Sequence, residues 1–433
     1  MKKGISSFVK VFLVLTLVIA VSYSVQAEQH EWPDLSGEEL EITAMWTGAD
    51  QGYFREVLDN FEDLTGAEVS YTPIGANLAT VLGTRIEGGN PPDISMLPQP
   101  GLLQEFARDG DLVPISEETE SVIDEYYAPV WKELGTAEGD LYGVWFKAAN
   151  KSLMWYNTEI FSDAGVEEPE TWEELLDVAE TISFYGITPF SIGGGSSWTL
   201  TDWWENIYLR TAGPEMYDQL MNHEIPWTHE TVKESLTVLK DIFGRPEWLA
   251  GGIEGSLEAN HPEGIIRPFQ DPPSAAIAYG ADFSAGAIIN ETDAVLGEEA
   301  TFFDFPSIND SPISVIGAGD VAVNFSDTEA SRTLMRYLAT PESAEKWAQQ
   351  GGFTSPNQGV DPDLYPSDIL RRSGETLQQA EWFRFDLSDL QPAEFGSTEG
   401  TGMRFWFQEF LRNPDVDRTA EGLEEDAQET FGE

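Results

Sequence analysis

Residues 40–72 read LEITAMWTGADQGYFREVLDNFEDLTGAEVSYT, and a change of period inside them sets the fold class. Leu40 to Trp46 alternates apolar and polar side chains, the pattern of a half-buried strand. The strand stops at Thr47-Gly48. From Tyr53 to Leu64 the apolar residues fall at 53, 54, 57, 58, 61 and 64, which is helical spacing, and Gly66 ends that helix. Glu68 to Thr72 reads as the next strand. Moving outward, Leu78 to Ile86 predicts a second helix, broken by Gly88-Gly89-Asn90-Pro91-Pro92, and Asp93 to Leu97 predicts a third strand. Strand and helix alternate, so the expected class is α/β, with a parallel sheet carrying helices on its faces.

The N-terminal side fixes the compartment. Lys2, Lys3 and Lys10 precede or enter an apolar stretch from Phe8 to Val21, and Val25-Gln26-Ala27 supplies the small residues of a cleavage site. The run from Val11 to Val21 is too short to span a bilayer, which takes about 20 residues. Residues 1–27 are therefore read as a cleaved signal peptide, giving a periplasmic chain with no membrane insertion after cleavage. There is no cysteine, which excludes disulfides, thiolate chemistry and a lipidated N-terminal cysteine.

The formal net charge is −54, and residues 1–27 hold three lysines and no acid, so the remainder is more negative still. Nucleic acid and anionic membranes are poor partners for such a surface. The acids are spread along the whole chain instead of clustered, which favours adaptation to a salty medium over one cationic partner. The 433 residues allow two domains, and 14 tryptophans are more than aliphatic-rich cores need. Such an excess suggests flat apolar faces for a ligand.

The middle of the chain is helix-rich. Thr171 with Glu174 forms a capping box for a helix reaching about Ser183. Further helices are predicted from Trp203, over Thr231 to Phe243, from Thr328 to about Leu338, and from Pro341 to about Gln350. Ala275 to Tyr279 and Ala318 to Val323 read as strands. Gly193-Gly194-Gly195 reads as a flexible loop, and the acidic tail from Glu421 as a solvated or frayed helix end.

Several runs, taken in order, resemble the extracellular sugar-binding proteins of ABC importers, in particular the α-glucoside branch related to maltose-binding proteins. They include Phe61-Glu62-Asp63-Leu64-Thr65-Gly66, Gly89-Asn90-Pro91-Pro92-Asp93-Ile94 and Gly110-Asp111-Leu112-Val113-Pro114. Lys151-Ser152-Leu153-Met154-Trp155-Tyr156-Asn157, Thr171-Trp172-Glu173-Glu174-Leu175 and Gly351-Gly352-Phe353-Thr354-Ser355-Pro356-Asn357 continue the set. Leu97-Pro98-Gln99-Pro100-Gly101, Trp198 to Trp203, Gly280-Ala281-Asp282-Phe283, Gly317-Ala318-Gly319-Asp320 and Phe385 to Asp389 carry the likeness to the α-glucoside branch.

The resemblance implies a two-lobed periplasmic binding protein fold with a multi-crossing hinge and a ligand cleft. Lobe one would comprise 38–149 and 316–348, and lobe two 150–315 and 349–433. The partners it implies are a small-molecule sugar and the transmembrane subunits of an ABC permease. The protein would be a monomer without a cofactor or metal.

A sugar offers apolar C–H faces and a rim of hydroxyls. It calls for aromatic faces and for charged or amide acceptors, because hydrogen bonds to charged groups are the stronger kind. Trp46 ends the first strand, where open α/β sheets bind ligands. Gln99 stands in a proline-flanked loop after the third strand. Trp198, Asp202 and Trp203 set two indoles around a carboxylate, with one of Trp203 and Trp204 expected in the core. Asp282 and Phe283 follow a strand and a glycine. Asp320 follows Gly317 and Gly319, where backbone can approach a ligand closely. Phe353 and Thr354 lie at the third expected crossing. Arg384 and Asp386 read as a mutual ion pair or a hydroxyl clamp. Of Trp155 and Tyr156, adjacent on a strand, one should be core and one exposed.

Two other readings stay open. Aromatics with acids would also cage a cationic osmolyte. A glycoside hydrolase would need two carboxylates, which 77 acids supply trivially. His30, His223, His229 and His261 are too scattered to predict a metal cluster, and no Gly-x-Ser-x-Gly or P-loop motif is present.

Overall fold

The computed structural model describes residues 32–351 and 353–432. The signal segment and Gly352, the centre of the third expected crossing, lie outside the described residues.

The strands in chain order are β1 (Glu39–Ala44), β2 (Glu68–Pro73), β3 (Ile94–Leu97), β4 (Thr136–Ala137), β5 (Asp140–Leu141), β6 (Gly143–Asn150), β7 (Leu153–Asn157), β8 (Phe190–Ser191), β9 (Ile277–Tyr279), β10 (Ala300–Asp304), β11 (Ser314–Asn324) and β12 (Trp382–Phe385). Two sheets organise the molecule. The first runs β12-β11-β3-β1-β2, with β6 also paired to β11. Its β1, β2 and β3 are parallel, as the alternating pattern predicts, while β11 is antiparallel to β3 and β6. The second sheet runs β10-β7-β9-β8. β4 and β5 make a small hairpin.

The helix Gly48–Thr65 between β1 and β2 buries Phe54, Val57, Leu58 and Phe61, the residues its period selects. Gly66 caps it with φ 76°, a left-handed conformation that glycine adopts without a Cβ penalty. The capping box at Thr171 and Glu174 is present and opens the helix Trp172–Phe184. The acidic tail departs from expectation. Residues Val416–Phe431 form a helix whose Ala420, Leu423 and Ala427 are buried in the second core. Its acids sit on the other face, so charge density hid an amphipathic helix.

β11 governs how the two sheets meet. All of its residues are buried. Its first half, Ser314–Gly317, pairs in parallel with β12, and its second half pairs with β3 and β6. β12 falls in the 349–433 segment expected in the second lobe, yet it extends the first sheet. Gly317 and Gly319 are required here by packing. A Cβ on Gly317 would fall 2.3 Å from the Phe383 ring, and one on Gly319 would fall 2.4 Å from the Lys147 carbonyl. The close approach inferred for these glycines is thus to neighbouring strands.

The cores follow the sheets. One surrounds the first sheet and includes Trp46, Phe54, Phe146, Trp347 and Phe353. Another surrounds the helix Trp198–Ala212 and includes Trp203, Trp204, Trp227 and Phe407. A smaller one joins Trp155, Phe302 and Leu370. No helix of the described residues is long and apolar enough to cross a membrane.

Candidate functional site: a cleft between two aromatic walls

β6 and β11 place the first wall. Lys147 on β6 lies opposite Asp320 on β11, and the register shifts immediately beside them, between Asp320 and Val321. A bulge of this kind re-aims side chains and is common beside functional sites. Lys147 Nζ lies 4.7 Å from the Trp347 ring centroid and 5.8 Å from the centroids of both Trp46 and Phe283. Its nearest carboxylate is Asp50, at 3.9 Å. Trp46 stacks edge-on against Trp347 and Phe54, each at 4.8 Å. Burial pushes the Asp320 carboxyl up to about 6 and the Asp50 charge adds to the rise, while Lys147, the Trp46 indole and Lys151 oppose it.

The second wall comes from three segments. Trp198 is half-buried and opens the helix Trp198–Ala212. Its ring centroid lies 4.9 Å from that of His261 and 6.1 Å from that of Phe283, and His261 and Phe283 are 5.5 Å apart. The His261 ring is held by Ser284 Oγ at 3.0 Å, and burial, reinforced by Lys151, pulls its pKa down to about 4. The ring is therefore neutral at ordinary pH. Phe283 packs on the first core as well, so it bridges the walls.

The Gly193 run is not a flexible loop. Gly194 and Gly195 N–H groups donate to Ser256 and Ala259 carbonyls, both at 2.8 Å. A Cβ on Gly193 would lie 2.9 Å from the His261 Cα. The run is glycine because backbone packs on backbone there, and this seats His261 against Trp198.

Beneath the second wall lies a buried charge network. Lys151 Nζ donates to Asp202 Oδ1 at 3.2 Å and pairs with Asp386, with an Asp389 oxygen at 3.7 Å. The same ammonium sits 5.1 Å from the Trp198 ring centroid. Asp386 also accepts from Ser388 Oγ at 2.7 Å and Asp389 N at 3.0 Å. Glu205, one turn along from Asp202, accepts from the backbone N–H groups of Leu387 at 2.8 Å and Ser388 at 3.0 Å. Burial drives Asp202 and Glu205 well above the usual carboxylate range, whereas the Lys151 charge holds Asp386 well below it against its own burial. Asp202, Glu205 and Asp386 each offer an oxygen within 4.8 Å of the others. The ammonium already among them and the raised carboxyls make protons and Lys151 the counter-charges of this cluster.

The predicted residues now divide. Trp46 and Asp320 are buried at the first wall and Trp198 and Phe283 half-buried at the second, with Lys147 between Trp46 and Phe283. Gln99 is half-buried just before the helix Pro100–Asp109, its main-chain carbonyl accepting from Leu102 and Leu103. Trp155 and Trp203 are corrections. Trp155 is wholly buried with its indole N–H on the Ala281 carbonyl at 3.1 Å, and Trp203 is wedged among Phe190, Phe243, Tyr279 and Phe305. Both fill the core because their faces are covered on every side. Trp203 and its neighbour Trp204 are both structural.

Phe353 is core too, stacked on Trp347 at 5.2 Å. Asp282 and Thr354 satisfy each other at 2.6 Å, and Asp282 also takes the Phe283 N–H and Ser373 Oγ. This pair ties the segment after β9 to the third crossing. Asp202 lies under the cleft floor as a partner of Lys151. Arg384 and Asp386 do not pair. Arg384 forms a two-pronged bridge to Asp218, at 2.5 and 2.7 Å, on the outside of the molecule. The strand ends at Phe385 and Asp386 caps the following helix Leu387–Leu390, so the chain turns between the two residues and their side chains part.

Lys151, His261 and Asp389 were missed. Lys151 was quoted only as part of a motif, and its partners lie 51 and 235 residues away. Nothing local in the sequence marks such pairs.

A family model for the bacterial extracellular solute-binding proteins matches residues 46–345. The chain belongs to that family. Among curated relatives, the binding protein is 34% identical over 407 residues to the osmoprotective compounds-binding protein GgtB of Synechocystis sp., covering 92% of this chain and 94% of the relative. It is 35% identical over 378 residues to the alpha-glucosides-binding periplasmic protein AglE of Rhizobium meliloti, covering 84% and 82%. Among solved structures, the fold matches a chitin oligosaccharide binding protein with TM-score 0.79 at 19% identity, covering 91% of this chain and 99% of that one. It also matches RafE in complex with raffinose with TM-score 0.74 at 18% identity, covering 90% and 99%. These structures confirm the two-lobed architecture expected from the sequence. The family consists of solute binders, which sets the hydrolase reading aside.

Proposed function

We propose that the protein captures a small α-glucoside or a related sugar-based osmoprotectant between the Trp46 and Trp198 walls and delivers it to an ABC permease. The supporting observation is the meeting of Trp198, His261 and Phe283 with Trp46, Lys147 and Asp320 in one space. Rings supply faces for sugar C–H groups, and Lys147 and Asp320 supply a donor and an acceptor for hydroxyls. Two curated relatives, named for alpha-glucosides and for osmoprotective compounds, point to the same ligand class.

The cationic-osmolyte reading is weakened by the lysines. Lys147 and Lys151 already stand over the ring faces a cationic ligand would use.

The lobes would divide as 38–149 with 316–348 and 150–315 with 349–433, except that β12 joins the first sheet, and would close about the β6–β7 and β11 crossings as hinge proteins do. Export would follow cleavage after Ala27, and the mature chain would act in the periplasm as a monomer. Titration calorimetry with trehalose, maltose, sucrose, glucosylglycerol and glycine betaine tests the ligand class. Heat from one or more of the glucosides is expected. Binding of betaine alone would overturn the proposal.

A further inference from the structure

Asp389 is a buried acidic side chain with one ion-pair contact and, among the described residues, no side-chain hydrogen bond. The residue is 6% exposed. Among the described residues its carboxylate accepts no hydrogen bond; its contact is the Lys151 ammonium, at 3.7 Å, too long for a hydrogen bond. A buried carboxylate in such a state is costly unless something else completes it. Its neighbours Asp386 and Ser388 differ, being saturated by Lys151, by each other and by Glu205.

The main chain around Asp389 is fixed. Its own N–H is bound to Asp386, and Glu205 clamps the N–H groups of the two residues before it. The helix Pro100–Asp109 closes over the same segment, with Gly101 so near that a Cβ would lie 3.2 Å from the Asp389 carbonyl. The side chain can therefore point only where this turn aims it. The charges it faces are Asp386, Lys151, Arg404 and, from β11, Asp320. Its contact with Lys151 at 3.7 Å, and the 5.1 Å from that ammonium to the Trp198 ring centroid, place it beside the second wall.

We propose that Asp389 is a ligand-contacting carboxylate: it accepts hydroxyl hydrogen bonds from the bound solute, which supplies the donors that the protein withholds. This deepens the proposed function and rests on it. Burial, together with the Asp386 and Asp320 charges, raises the empty site's Asp389 to about 7 against the pull of Lys151 and Arg404. Hydroxyl donors favour the charged form and lower its pKa on binding. The solute therefore binds the deprotonated site more tightly. Affinity rises with pH up to about 7 and levels off above it, with a proton released on binding near neutrality.

Calorimetry of wild type, Asp389→Asn and Asp389→Ala, between pH 5 and 9 and in buffers of different ionisation heat, tests this with the tightest-binding sugar of the panel. Thermal melts confirm that the variants fold. Asp389→Ala should lose roughly 10- to 100-fold in affinity at pH 8, and both variants should lose the rise near pH 7 and the released proton. If wild type binds sugar and the variants keep its affinity and its pH profile, the assignment is overturned while the sugar reading stands. If wild type binds none of the sugars at any pH, both fall.

Discussion

Lys147 and Lys151 are four residues apart at the crossing between the sheets, yet their surroundings are opposite. Lys147 lies among rings, above Trp347 and between Trp46 and Phe283, with one loose carboxylate contact. Lys151 is enclosed by three carboxylates under the Trp198 ring. Both are buried, one ammonium facing aromatic rings and the other carboxylates. The same residue type on adjoining backbone thus serves recognition in one place and scaffold in the other, according to what distant segments bring to it.

The sharpest break of this contrast is Lys151→Met. It strands Asp202 and Asp386 in the interior, and removing one partner from a buried ion pair costs roughly 3–5 kcal/mol. Urea unfolding should show that loss, and a variant as stable as wild type would deny Lys151 its structural role. A comparable cost, about 3–5 kcal/mol, is expected for Trp203→Ala, which empties a core position. Trp198→Ala, five residues earlier, should leave stability nearly unchanged and weaken sugar binding about tenfold, as loss of an aromatic face does. Equal stability losses for the two tryptophans would erase the distinction between wall and core.

Lys147→Met is expected to cost about 2 kcal/mol, the scale of a desolvated cation–π contact. Its signature is in ligand choice: vacating the ring faces should admit glycine betaine, measured by calorimetry. Asp320→Asn separates the two walls by pH. Because the folded pKa of Asp320 is raised from 3.8 to about 6, the folded state holds that proton more tightly than the unfolded chain. Wild type therefore loses this contribution as pH rises from about 4 to 6. The stability of Asp320→Asn relative to wild type should climb over that window and then level off. A flat difference would show that Asp320 is not so perturbed.

Legibility followed sequence distance. The period change at 40–72, the capping box at Thr171 and the helix stop at Gly66 are local signals, and each appears where the pattern puts it. Trp46, Trp198, Phe283 and Asp320 were legible as candidates because each follows a strand end, a glycine or a helix start. Trp155, Trp203 and Phe353 share that composition and belong to the core, since aromatic type alone does not say which side of a wall a ring occupies. Gly193 and Gly317 illustrate the converse. Read as a flexible loop and as a place of close approach to a ligand, they prove to be places where a Cβ would strike a neighbouring segment.

By itself, the sequence determined the α/β class, the order of the first elements, the acidic surface and the family likeness, because these depend on period, charge and short ordered motifs. Tertiary structure alone decided that Lys151 joins Asp202, Asp386 and Asp389, that Lys147 faces Asp320, that Arg384 leaves Asp386 for Asp218, and which tryptophans are wholly buried. Those pairings join residues as far as 235 positions apart. Their energy arises only once burial removes water from around them, and no stretch of chain records that in advance.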